Sequence, residues 1–352
     1  MSAIDGSKNR ISYIDLLKFF AIASVILGHC TEQITGNDFW SNPIWSTIYT
    51  YHMPLFMMVC GYFFGSSLDR PFMQMVGRKA LQLLLPCVTL TVLIYGTGFL
   101  TGFRSFPEFF APDFTSVVNV LWFLKCVFLC YLIAYISLRL MKNVLVAALS
   151  TSVLFTLLPG ADIVNLNFLL PVFWVGYGLS LNREWIAAHR RHILAVSGAA
   201  YLMMPYFWNG YLTVYASPIA VIDWHTLTFD LPNLAVTIFR LAIGVAGSLA
   251  LFTLAPSAEP LLSRYRFYPW LLAAGRATLG IYVVQTLLVE CGIYALGIYV
   301  TAAQSLIVAP ALACVELPLC YMCVEAVRRS PIARLLLLGE VKAPALRLDM
   351  QP

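Results

Sequence analysis

The 352-residue chain is 60% hydrophobic and only 11% charged, with a mean hydropathy of +0.80 and a formal net charge of +5. Soluble domains carry about 25% charged residues, so this composition excludes the soluble class and specifies a polytopic membrane protein. The positive balance implies no nucleic-acid partner, because its placement along the chain follows topology.

A spanning helix needs about 20 mostly apolar residues, and the chain offers ten such runs, at 14–33, 45–65, 81–103, 117–138, 143–159, 163–181, 193–208, 234–255, 269–291 and 304–327. They predict an all-α transmembrane helical bundle of about ten spans, forming one domain over 1–352, with a short segment at 1–12 and an amphipathic tail at 330–352. The first run is too long and lacks the small-residue cleavage site of a signal peptide, so it is expected to stay as a span. No internal repeat is apparent.

The first run contains "DLLKFFAIASVILGHC" (15–30), with Asp15, Lys18 and His29 in an apolar setting. A charge near a bilayer centre costs roughly 2.5 to 3.5 kcal/mol on insertion scales, so such residues face protein or water and mark function. Lys18 and His29, eleven residues apart, share a helix face about 16 Å apart along the axis. Asp15 can pair with Lys18, and Glu32, one turn beyond His29, can accept from its imidazole. A membrane histidine also suits an interhelical hydrogen bond, and Lys18 also suits snorkelling to the inner interface.

The second run places His52 of "YHMPLF" at about the depth of His29, with Pro54 just below as a potential kink. Basic Arg70, Arg78 and Lys79 follow. In the outer half of later runs lie Trp122, Lys125, Arg240 and Gln285, with Glu316 near mid-membrane. Trp122 equally suits an interfacial aromatic belt, and Lys125 and Arg240 equally suit snorkelling outward. The stretch 209–233 is long enough to cover the outer face as a lid or acceptor platform. All nine cysteines lie in apolar runs and read as small buried hydrophobes, the "CYMC" at 320–323 included. Beyond the last run, "SPIARLLLLGE" (330–340) reads as a short amphipathic helix on the inner surface.

With a cytoplasmic N-terminus and ten spans, seventeen of the 22 Lys and Arg residues fall on the inner side and only Arg104 on the outer side. This obeys the positive-inside rule and puts both termini in the cytoplasm.

Together, "ISYIDLLKFFAIASVILGHC", "YHMPLFMMVCGYFF", "RKALQLLLP", "LWFL", "GRATLGIYVVQ" and "RLLLLG" resemble, in order and from residue 11 to 340, the acyltransferase-3 family of integral membrane acyltransferases. Without an appended esterase-like domain, the chain is most similar to the stand-alone branch that modifies surface polysaccharides and glycolipids. The resemblance implies transfer of an acyl group, usually acetyl, from cytoplasmic acyl-CoA to a sugar hydroxyl, with no permanently bound cofactor and acetyl-CoA as donor substrate. His29 would be the essential histidine, Lys18 its paired basic residue, His52 the second histidine, and Arg78 and Lys79 the inner-loop cations. Gln285 departs from the family, since many members carry histidine there, which leaves the chemistry to His29 and His52.

Acyl transfer from a thioester to an alcohol needs a base near neutrality, which histidine supplies, and cations for a polyanionic donor, which Arg70, Arg78 and Lys79 supply on the donor's side. The expected partners are acyl-CoA, a surface polysaccharide or lipid-linked oligosaccharide, and the lipids of the plasma (inner) membrane; homo-oligomerisation is left open. The rival readings are a secondary transporter or flippase, and a succinyl rather than an acetyl transferase.

Overall fold

The computed structural model describes residues 11–100, 120–207, 212, 219–223, 226–293 and 297–341. Among them the chain is almost wholly helical, and the one strand-like feature is an antiparallel bridge between Ile222 and Phe229. In chain order the elements are α1 (Ser12–Thr35), α2 (Pro43–Tyr62) and α3 (Phe72–Lys79), which passes through a π-helical turn (Ala80–Leu84) into α4 (Leu85–Leu100). Then follow α5 (Trp122–Met141), α6 (Val144–Leu157), α7 (Leu166–Leu181), α8 (Arg190–Met203) and α9 (Leu231–Leu262). The chain closes with α10 (Tyr268–Arg276), α11 (Thr278–Gln285) running into a second π segment (Thr286–Ile293), α12 (Ala302–Arg328) and α13 (Pro331–Leu338).

Among the described residues, five helical stretches are long and apolar enough to cross a membrane: Ser12–Thr35, Phe72–Gly96, Trp122–Met141, Leu231–Leu262 and Ala302–Arg328. A bent pair makes a sixth, since α10 and α11 meet at 73°. The other expected runs also form helices, α2, α6, α7 and α8. The shortest of these have 14 residues, about 21 Å of axis at 1.5 Å per residue, less than a 30 Å hydrocarbon layer.

Three boundaries differ from expectation. The third helix begins at Phe72, because the basic segment Arg78–Lys79 is itself helical and joins the apolar run through the π turn. The ninth run is broken at Ala277, where Gly275 packs against the backbone of α1 so closely that a Cβ there would lie 1.9 Å from the Asp15 carbonyl oxygen. The fourth helix begins at Trp122, after Leu121 takes up a left-handed conformation (φ 51°).

Burial explains the arrangement. Ile14, Ile22, Ile26 and Ile34 of α1, Leu55, Met57 and Met58 of α2, and Phe168 and Phe173 of α7 are at most 1% exposed. Outward, Val88, Val92, Leu140, Leu145, Leu149, Leu202, Ile307 and Val315 are all more than half exposed, an apolar surface that suits lipid and not water. α1 is the central helix, packed on α2, α9, α10, α11 and α12, so its few polar side chains are held among other helices.

Part of the expected lid at 209–233 (209–211, 213–218 and 224–225), the loop with Arg104, and residues 1–10 and 342–352 lie outside the described residues. The described part of the lid is tied down: Asn167 of α7 donates to the Ile219 carbonyl at 3.1 Å and Asn233 of α9 to that of Ala220 at 2.9 Å. The expected tail helix is α13, docked through buried Leu338, which lies against Gly280. Its exit is clamped by Glu340, which pairs with Arg328 at 2.7 Å while Arg328 also pairs with Glu325 at 2.6 Å.

Candidate active site

The start of α2 is set by Asn42, whose side chain accepts from the backbone N–H groups of Ile44 at 2.9 Å and Trp45 at 3.1 Å, with Pro43 at the first helical position. The same amide donates to Ser305 of α12 at 2.7 Å, so the cap also fixes α2 laterally. From this start, Trp45, Tyr49 and His52 follow at spacings of four and three, one face of the helix. That face meets His29 and Glu32, one turn apart on α1.

At the junction Glu32 is shared. His29 Nδ1 lies 2.8 Å from Glu32 Oε2, and the Trp45 indole N–H donates to Glu32 Oε1 at 2.9 Å. With Glu32 as carboxylate, the His29 hydrogen sits on Nδ1, which leaves Nε2 of the neutral ring with the lone pair. Tyr49 stacks on Trp45 with centroids 4.3 Å apart and stands edge-on to His52 at 4.6 Å and to His29 at 6.4 Å. His52 Nδ1 donates to the Ile48 carbonyl at 2.7 Å, because a carbonyl can only accept, so this ring too keeps its lone pair on Nε2. The two rings differ in access: the His29 side chain is 19% exposed and His52 is 3% exposed.

A second cluster forms about three helical turns away, at the other end of α1. Lys18 pairs with Asp15 at 3.0 Å and stands 5.3 Å from the Phe63 ring centroid. Lys79 lies 3.7 Å over the Tyr131 ring, and the Tyr131 hydroxyl donates to the Cys60 carbonyl at 3.1 Å. Both lysines are within electrostatic reach of Cys60, and Arg70 and Arg78 within reach of Lys79. The cations expected along the inner side, separated in sequence by up to 61 positions, thus meet at one end of the bundle.

The other candidates lie on α5, α9, α11 and α12. Trp122 is half-buried against Phe123, and it is Phe123 that bridges Phe56 of α2 and Tyr282 of α11. Lys125 donates to the Val120 carbonyl at 2.6 Å and stands near Cys87, closing the entry to α5. Arg240 is 3% exposed in α9, one turn before Gly244, which abuts Pro54 of α2. Gln285 is fully buried and donates to Thr286 at 3.1 Å, where the second π segment begins. Glu316 of α12 stands near Cys30 and Cys320.

Trp45 and Tyr49 are site residues that sequence reasoning passes over. The available signal is their spacing from His52 on one helix face; it is weak because aromatic residues near a membrane interface are common.

The acyltransferase domain family matches residues 11–325 of this chain. Among curated proteins, the nodulation protein NolL of Mesorhizobium japonicum is 34% identical over 134 residues, 36% of this chain and 36% of the relative. NolL of Sinorhizobium fredii is 30% identical over 181 residues, 49% of each. The chain thus spans half or less of the length of these relatives in the matched regions. No solved structure matches it.

Proposed function

The chain belongs to the acyltransferase-3 family, and from that membership we propose that it is a membrane O-acyltransferase that moves an acetyl group from cytoplasmic acetyl-CoA to a hydroxyl of a surface polysaccharide or lipid-linked sugar. The observation that supports the reading is that one central helix carries a carboxylate-held histidine towards one end and, at the other, Lys18, around which further cations gather.

In this reaction the acceptor hydroxyl oxygen attacks the thioester carbonyl carbon while His29 Nε2 takes its proton. The new C–O bond forms, the C–S bond breaks, and the proton passes from His29 to the departing CoA thiolate. Glu32 stabilises the transient imidazolium, and His52 orients the acceptor or relays a proton. Lys18, Lys79, Arg70 and Arg78 receive the anionic donor, whose extended arm is of the same order as the roughly 16 Å between Lys18 and His29. A transporter or flippase would call for a second interrupted helix in a matching half, and one bent pair is found among the described residues.

The reading is tested by mass spectrometry of surface glycans from cells with and without the protein: loss of one acetyl mass increment is expected, and an unchanged glycan profile overturns it. A succinyl increment would change the donor but keep the reaction class.

Lys18→Ala is expected to raise the KM for acetyl-CoA about tenfold, the scale of losing one partly exposed charge contact, whereas Lys18→Arg keeps most activity because charge and reach survive. An unchanged KM in the alanine variant would leave Lys18 as a snorkelling residue paired with Asp15.

The inner-side bias of Lys and Arg supports both termini on the cytoplasmic side of the plasma membrane. Cysteines introduced at the exposed positions Ser66 and Ala187 should react with a membrane-impermeant maleimide only in inverted vesicles. Labelling of intact cells would reverse the threading and put the donor cluster on the wrong face.

A further inference from the structure

We infer that Trp45 is a positioning residue of the transfer site: its indole N–H holds the Glu32 carboxylate so that the other carboxylate oxygen keeps His29 in its Nδ1–H form. The inference rests on the reading of His29 as the base.

A glutamate reaching its partner through three rotatable bonds is a poor orienting group unless its second oxygen is also anchored. Trp45 is one such anchor, beside Tyr49 on the same helix. It is 0% exposed, and its ring is locked by Tyr49 at 4.3 Å, Phe39 at 4.8 Å and Trp40 at 5.2 Å, so it has no alternative rotamer without unpacking the aromatic cluster. Its backbone N–H is fixed by the Asn42 cap, and Asn42 is fixed by α12. An indole has one donor and no acceptor, and a buried one must be satisfied; here that donor goes to Glu32 Oε1 at 2.9 Å, a bond strengthened by the carboxylate charge. With both oxygens held, one by α2 and one by His29 of α1, the carboxylate cannot rotate away, and the imidazole keeps its hydrogen on Nδ1 and its lone pair on Nε2. This is the arrangement of an activated group whose base is oriented by a third residue, extended by one more member.

The test uses the full chain in lipid nanodiscs, with Trp45→Phe and a second variant in which Trp45 is replaced by benzothienylalanine, which keeps the bicyclic shape and lacks only the N–H. Nitrogen NMR of isotope-labelled histidine reads the His29 Nδ1–H signal directly, assigned by its disappearance in His29→Gln. That signal should shift towards a mixture of tautomers in both Trp45 variants. Initial rates of label transfer from radiolabelled acetyl-CoA to the glycan fraction of membranes should show kcat reduced roughly ten- to a hundredfold, the size of one lost hydrogen bond to a charged group, with the KM for acetyl-CoA unchanged. In a Glu32→Gln background, Trp45→Phe should cause no further loss, since it acts through that carboxylate.

An unmoved His29 signal with wild-type kcat in the benzothienyl variant overturns the inference, as does a full additional loss in the Glu32→Gln background. Full transfer by His29→Ala would instead overturn the base assignment and this inference with it, whereas an inactive His29→Ala beside fully active Trp45 variants overturns the inference alone.

Discussion

Replacing His29 by alanine is expected to bring acyl transfer below detection while the protein still inserts and still binds acetyl-CoA. Loss of a positioned base typically costs about 10² to 10⁴ in rate, and this base has its own orienting carboxylate at 2.8 Å, so the loss should lie at the upper end. Donor binding should survive because the cations around Lys18 and Lys79 sit about three helical turns away from the imidazole. His52→Ala should cost less. That ring is closed off at 3% exposure and bonded to the Ile48 carbonyl, whereas the His29 side chain keeps 19% of its surface open to an incoming hydroxyl. The check is initial-rate transfer of label from acetyl-CoA together with binding measured by calorimetry on the same preparations. Near wild-type transfer by His29→Ala would mean that another group takes the proton.

Gly176→Ala and Gly61→Ala are expected to destabilise the protein at or beyond the upper end of the roughly 1–3 kcal/mol usual for overpacking. A Cβ on Gly61 would lie 1.9 Å from the Phe173 carbonyl oxygen, and one on Gly176 would lie 2.0 Å from that of Met58. Both obstacles are backbone atoms, which cannot swing aside as a side-chain tip can, so α2 and α7 would have to separate. Small residues at such crossings are what lets membrane helices approach, since lipid supplies little hydrophobic drive between them. The separation would also displace Trp45, Tyr49 and His52, all on α2, so activity should fall together with stability. Gly178 on the same helix has no atom within 4 Å of its would-be Cβ, and Gly178→Ala should be neutral or stabilising by about 0.5–1 kcal/mol through helix propensity. Thermal unfolding of the detergent-solubilised variants decides it: equal midpoints for Gly176→Ala and Gly178→Ala would refute the close crossing.

The helical class and the position of nearly every helix are legible in the sequence because lipid forces each crossing segment to be about 20 apolar residues long, a local property of the chain. The pairs Asp15 with Lys18 and His29 with Glu32 are legible for a similar reason: residues three apart on a helix are neighbours whatever surrounds them. Other features are set by contacts between distant segments. The break at Ala277 depends on the backbone of α1 pressing against Gly275, and the start of α3 depends on a π turn that joins a basic segment to an apolar one. The gathering of Lys18 with Lys79, and the hold of Trp45 on Glu32, require helices to meet at particular rotations. The apolar periodicity of a membrane helix specifies this poorly, because lipid-facing and core-facing positions are both apolar and leave no polar stripe to mark the outside. For the same reason the sequence does not show that Trp122 packs on Phe123, that Lys125 bonds the Val120 carbonyl, or that Glu316 stands near Cys30. The sequence by itself thus determined the material, an all-helical membrane bundle with polar residues at set depths. Only the tertiary packing decided which of those residues face one another, since depth follows from counting along one helix and direction from its neighbours.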